Sequence, residues 1–144
     1  DLISLVVAIG IKPNTQLAES AGLEVDKNNG GVVVNQELAA RSDLYVVSMK
    51  VMLLMKPLSH TNLFQAGDVI SYYDPILGRR RVEHYDHADN SGRHAALNMT
   101  GARKAYNYMP MFWGAMNGTP YEAVGLIDSR LDTVGVWQQG KCNI

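Results

Sequence analysis

Ala66-Gly67-Asp68, followed by Gly78-Arg79-Arg80-Arg81-Val82-Glu83-His84-Tyr85-Asp86-His87-Ala88, is the stretch on which the fold turns. An apolar strand ending in Gly-Asp brings a carboxylate to a place where the backbone approaches a ligand closely, within reach of a polyol hydroxyl. The charged, His-bearing run then opens a helix. The positive end of its dipole favours an anion or an electron-rich ring edge. An apolar strand followed by a helix of this kind fits an α/β fold class.

Outward from that stretch, residues 2–11 form a continuous β-branched apolar run, read as a strand buried on both faces. Gly10 and Pro13-Asn14 end it in a turn. Residues 15–21 read as one or two helical turns. Residues 23–25 and 32–35 read as short strands around the 27–31 turn, and residues 44–47 as a further buried strand. Residues 86–99 read as the best helix. Ala88, Gly92, Ala95, Ala96 and Met99 recur at spacings of three and four, a small-residue stripe suited to close packing on the sheet, and Gly101 falls just past its end. Residues 106–113 read as an aromatic-rich loop. Residues 122–127 and 133–138 are strand candidates for a hairpin in a second, β-rich unit.

The bulk composition narrows the function classes. With 47% apolar residues and a net charge of −1, the 144-residue chain has no general electrostatic pull toward nucleic acid or membrane. One cysteine, Cys142, excludes an internal disulfide framework and a Cys-based zinc site. There is no run of 18 apolar residues. Both ends read as cut from something longer, so membrane association is expected only through segments outside this chain. His84 and His87, with Asp86, carry metal-ligand residue types, but no third ligand has suitable spacing and no metal is assigned. Arg79-Arg80-Arg81 is a short basic run. It reads as a solvated or ion-paired turn, or as a partner of Glu83 in ordering a loop, ahead of a DNA contact. Gly30-Gly31 reads as a turn. No G-x-G-x-x-G phosphate-binding loop occurs anywhere.

Gly10-x-x-Pro13-Asn14, Gly22-Leu23, Gly31-Val32-Val33-Val34-Asn35 and the strand ending in Gly67-Asp68 resemble two-dinucleotide flavoprotein reductases, where the chain leaves the NAD domain and returns to the FAD domain. LGRRRVEHYDHA, SGRHAALNMTG, MFW, YEAVGLIDS and TVGVW sharpen this into a resemblance to the apoptosis-inducing-factor family of mitochondrial FAD-dependent NADH oxidoreductases. The resemblance implies a fragment of such a reductase. Residues 1–14 would end the NAD-binding domain, and residues 15–46 and 66–104 would belong to the FAD-binding domain. Residues 105–144 would begin a β-rich C-terminal domain.

The resemblance also implies roles. Asp68 would meet the flavin ribitol. Glu83 and His84 would line the flavin and nicotinamide side, with Tyr85 standing where the family usually has a second His. Trp113 would stack on a cofactor ring, and Gly10 and Glu122 would touch NAD. The cofactors would be FAD and NAD. NADH would be the hydride donor, the onward electron acceptor is unassigned, and no residue of this chain is assigned as catalytic. Glu24 and Arg41 resemble residues of the family's homodimer contact, although Val33 stands where a further Arg is expected. Location in the mitochondrial intermembrane space, release to the nucleus, and roles in mitochondrial maintenance and cell death are implied in the same way. The alternatives are a redox-gated interaction protein of mitochondrial import or assembly without essential catalysis, or another ferredoxin-reductase-like flavoprotein. By itself the chain is expected to be inactive and not to hold FAD tightly.

Residues 47–65 interrupt the strand that would run from Asp43-Leu44-Tyr45-Val46 into Ala66-Gly67-Asp68. A 19-residue, largely apolar loop inside a buried strand is uncommon. The insert begins Val-Ser and ends Phe-Gln, pairs that GTAAGT and TTTCAG encode, the two ends of an intron. The expectation is an unspliced in-frame intron; the alternative is a genuine surface loop.

Overall fold

The computed structural model describes residues 10–40, 66–138 and 141–143. The strand expected over residues 2–11, apart from its last two residues, lies outside them. So do the strand at 44–47, the insert at 47–65 and the dimer-contact residue Arg41.

The first helix or strand among the described residues is a short helix, α1 (Gln16–Ser20), which buries Ala18 and is closed by Gly22 in the left-handed region (φ 71°). Leu23 and Val32 complete a small apolar cluster with Ala18. Between them Asp26 builds the expected turn. Its carboxylate accepts from the Asn28 backbone N–H (2.8 Å), the Asn29 amide (2.9 Å) and the Ser71 hydroxyl (2.8 Å). Those bonds, the Asn28 N–H foremost, hold its pKa below the ordinary carboxylate range. Val25 and Val32 face each other in an antiparallel bridge across the turn.

Val32 opens β1 (Val32–Val33), which pairs in parallel with β2 (Ile70–Asp74). A tight turn leads back into β3 (Gly78–Arg80), antiparallel to β2, with Tyr72 opposite Arg80. The Asp74 carboxylate accepts from the backbone N–H groups of Ile76 and Leu77, and Gly78 (φ 77°) supplies the positive φ that closes the turn. The β2–β3 hairpin is absent from the sequence reading. Four of the five β2 residues are buried, so no polar–apolar alternation marks the strand. The arginine run, read as a turn, instead puts Arg79 and Arg80 in β3.

Helix α2 (Tyr85–Met99) matches the expected helix to within one residue, and Gly101 (φ 96°) follows its C-cap. Its buried face is His87, Ser91, Ala95 and Asn98. That corrects the small-residue stripe: Ala95 is inside and Met99 packs at the core's edge, but Ala88, Gly92 and Ala96 are only half-buried. A Cβ on Gly92 would meet nothing within 4 Å. Polar residues occupy the inner face because neighbouring loops supply partners. The Ser91 hydroxyl accepts from the Gly67 N–H (2.9 Å). The Asn98 amide donates to the carbonyls of Glu37 and Lys104 and accepts from the Lys104 N–H, each at 2.8 Å. Ala95 sits fully buried beside Val34, Leu38, Ile70, Tyr72, Val82 and Tyr106 in the main core. Ala95→Leu is therefore expected to overpack this contact and lower stability by about 1–3 kcal/mol, read as a lower urea midpoint.

Beyond α2, strand β4 (Met111–Met116) pairs antiparallel with β5 (Thr119–Val124). Asn117 (φ 50°) and Gly118 (φ 80°) form the two-residue turn, the Asn-Gly chemistry of a type I′ hairpin. The structure thus replaces the expected hairpin of residues 122–127 with 133–138. The first of these begins earlier and stops at Val124. β6 (Val136–Gln138) pairs with β7 (Lys141–Asn143). Likewise residues 111–113 are strand, not loop. No helix among the described residues is long and apolar enough to cross a membrane.

Candidate cofactor-facing site

The extended segment between β3 and α2, residues 81–84, gathers the candidate residues. Val82 anchors it in the core. Arg81 precedes it, with its side chain 10% exposed. Its Nε donates to the Asn29 carbonyl (3.1 Å), its Nη1 to the Asp68 carbonyl (3.1 Å) and its Nη2 to the Ile11 carbonyl (3.3 Å). The same Nη2 forms an ion pair with Glu83. Arg79 is spent similarly, with Nη1 donating to the Ser71 carbonyl at 2.7 Å.

Asp68 lies in the turn after Gly67 (φ 85°) and is half-buried. Burial, reinforced by the neighbouring Glu83 charge, raises its pKa above the ordinary value; Arg81 and His84 oppose this. Ionising this carboxylate therefore costs more in the folded state than in the unfolded one. Asp68→Asn is expected to raise the thermal midpoint while weakening any ligand that the carboxylate holds. A lowered midpoint would contradict the placement.

His84 is the N-cap residue of α2, and its side chain makes no capping bond, so the first-turn amides have no side-chain acceptor. Its imidazole instead stacks on Phe112 of β4, with centroids 4.3 Å apart and planes at 15°. The next residue of each element repeats the contact: Tyr85 meets Trp113 edge to face at 6.5 Å. Tyr85 is 78% exposed and Trp113 55% exposed, a pair of open aromatic surfaces. Glu122 stands opposite Trp113 in the hairpin register. Gly10 (φ 102°) is exposed and precedes Ile11, whose carbonyl Arg81 holds. Thus Asp68, Glu83, His84, Tyr85, Trp113, Glu122 and Gly10 are linked to one another through residues 81–85 and β4.

Beneath this surface, His87 is fully buried. It stacks on Tyr72 (4.9 Å), and its Nδ1 lies 3.1 Å from the Tyr106 hydroxyl. Burial, with the Arg80 charge nearby, lowers its pKa to about 4; the Gly67 backbone opposes this. Burial pushes the Tyr72 phenol up to about 12. His84 and His87 therefore serve different neighbours, and no cluster of three or more potential metal ligands occurs among the described residues.

Two residues carrying this arrangement were absent from the sequence reading of the site: Phe112, and Gly31, whose bare Cα lets β1 approach β2. The first sits in a strand, Met111–Met116, whose sequence shows no clean alternation. The second has no local signal.

The surroundings fit the ring and polyol part of a flavin. An acid sits at a turn, an open helix N-terminus stands near it, and exposed aromatic faces lie at the helix start. The pyrophosphate is not provided for, because the chain contains no Gly-rich phosphate loop.

Residues 1–92 match the family model "Pyridine nucleotide-disulphide oxidoreductase". Residues 95–143 match "Apoptosis-inducing factor, mitochondrion-associated, C-term". The chain is 46% identical over 139 residues to apoptosis-inducing factor 1, mitochondrial, of Dictyostelium discoideum, covering 94% of this chain and 23% of that protein. It is 48% identical over 134 residues to a Drosophila melanogaster protein provisionally given the same name, covering 92% of this chain and 16% of the relative. The chain thus spans less than a quarter of these curated relatives. In structure it is similar to a ferredoxin reductase from Rhodopseudomonas palustris, with a TM-score of 0.67 at 25% identity, over 91% of this chain and 28% of the other. The chain belongs to the pyridine nucleotide-disulphide oxidoreductase family, and its last third matches the family model of the C-terminal segment of apoptosis-inducing factor.

Proposed function

We propose that this chain is the part of an FAD-dependent NADH oxidoreductase that closes one side of the flavin and presents it to NADH. One observation carries the reading: residues 81–85 bring Asp68, Glu83 and His84 together with the exposed Tyr85–Trp113 pair. Bound FAD supplies the acceptor for the hydride that NADH releases. The protein groups bind and orient. Asp68 would hold a ribityl hydroxyl, and the open N-terminus of α2 would favour the electron-rich edge of the ring. Trp113 and Tyr85 would stack against a cofactor ring, while Glu122 and the backbone at Gly10 would face the nicotinamide nucleotide. No proton-transferring side chain is needed for the hydride step.

We further propose that residues 15–46 and 66–104 belong to the FAD-binding domain and that residues 105–144 begin the C-terminal one. The names of the relatives support a mitochondrial location. Within it we place the protein in the intermembrane space, with a role in mitochondrial maintenance and cell death. The test is the visible spectrum of the full-length protein, before and after anaerobic NADH. A flavin band that bleaches on NADH supports the reading. A flavin-free protein that is folded and stable would favour an interaction protein without essential catalysis.

A further inference from the structure

The interior of the site holds one group that touches both halves of it. Arg81 is nine-tenths buried and makes four contacts with one guanidinium. Three of its acceptors come from distant segments, Ile11 beside Gly10, Asn29 in the turn before β1 and Asp68 after Gly67, and the fourth is Glu83, two residues on. Of these, Ile11 borders the residue that the reading above assigns to the nicotinamide nucleotide, and Asp68 is the residue assigned to the flavin. We propose that Arg81 is a positioning residue that fixes the nicotinamide-side backbone at Gly10–Ile11 relative to the flavin-side turn at Asp68. This proposal rests on the reading of the site given under the proposed function.

The chemistry requires arginine. Four acceptors in three directions match the planar, five-donor fork of a guanidinium; an ammonium is a single point charge with three rotatable donors. Lysine would keep the charge and the partnership with Glu83, but it could not hold Ile11, Asn29 and Asp68 together. Two sides of the site would then be free to shift relative to one another. Hydride transfer is sensitive to such displacement, because reacting atoms must be held close to van der Waals contact. Arg81 acts through the groups that it holds, the carbonyls of Ile11, Asn29 and Asp68 and the carboxylate of Glu83.

The experiment uses the full-length flavin-loaded protein with Arg81→Lys and, as a second variant, Arg81→Gln, which keeps one amide donor. The readouts are the thermal midpoint, the visible circular dichroism of the bound flavin, and KM and kcat for NADH. For Arg81→Lys, flavin content is expected to stay near stoichiometric. KM for NADH should rise about tenfold, the scale of one lost charge-assisted hydrogen bond, and the flavin dichroism should change. Arg81→Gln should show the same changes to a greater degree. If either variant folds with an altered midpoint but an unchanged KM and dichroism, Arg81 is structural only and the proposal is overturned. A wild-type protein that neither holds FAD nor reacts with NADH overturns the reading of the site and this role together. A wild-type protein that does both, with variants indistinguishable from it, overturns the role of Arg81 alone.

Discussion

Gly31→Ala is expected to be severely destabilising. A Cβ at this position would lie 2.8 Å from the Ser71 backbone nitrogen and 2.9 Å from the Ile70 carbonyl carbon. Both are backbone atoms of β2, so no side-chain rotation relieves the clash. The only escape is to part β1 from β2, which breaks the parallel pairing of Val32 with Ile70 and Val33 with Ser71. The cost should be about 3 kcal/mol or more, the upper end for overpacking, and it should appear as a large drop in urea midpoint. The same Cβ would sit 3.1 Å from Cδ of Arg81, so the Arg81 contacts should suffer as well. A near wild-type midpoint for Gly31→Ala would mean that β1 and β2 are not packed as described.

His87 gives the second large effect, a pH dependence. The folded imidazole titrates at about 4, below the ordinary value of 6.5 that the unfolded chain would show. As pH falls below about 6.5, the unfolded state takes up a proton that the folded state refuses. Stability is thus fully present above about 6.5, is lost progressively as pH falls toward about 4, and by then is lower by about 3 kcal/mol from this group. His87→Phe keeps a ring against Tyr72 and removes the titration. It also deprives the buried Tyr106 hydroxyl of its partner, at about 1–3 kcal/mol. The variant should therefore be less stable at pH 7 and should lose the part of the acid slope between 4 and 6.5. Urea denaturation across that range decides it. An unchanged slope in His87→Phe would show that the imidazole titrates normally.

The parts of the fold legible in the sequence were those with local signals. α1, the turn held by Asp26 and α2 were marked by Gly, Asp and Asn at defined places and by helical spacing. The polar inner face of α2 was not legible. Ser91 and Asn98 are buried only because the Gly67, Glu37 and Lys104 backbones come to meet them, and of these partners Gly67 and Glu37 are remote in sequence. The β4–β5 hairpin was missed for the opposite reason. Its strands are largely exposed and show no clean alternation, and the Asn117-Gly118 turn that specifies it was passed over. In the candidate site, the acid and aromatic residues came from a family resemblance, whereas the contacts that bring them together, His84 on Phe112 and Arg81 across three segments, are tertiary. The insert at residues 47–65 falls outside the described residues. Sequencing the spliced transcript tests it, and a message that encodes these residues would rule out a retained intron.

The most direct test of the cofactor-facing assignment is the anaerobic reduction of bound flavin by NADH in the full-length protein, comparing Trp113→Ala with the wild type. Trp113 is 55% exposed and outside both core clusters, so its removal should leave the fold intact. The half-saturating NADH concentration should rise, or the limiting reduction rate fall, by about tenfold, as expected for loss of an aromatic stacking contact of roughly 1.5 kcal/mol. Reduction indistinguishable from wild type, in a protein with full flavin content, would contradict the placement of Trp113 at the cofactor face.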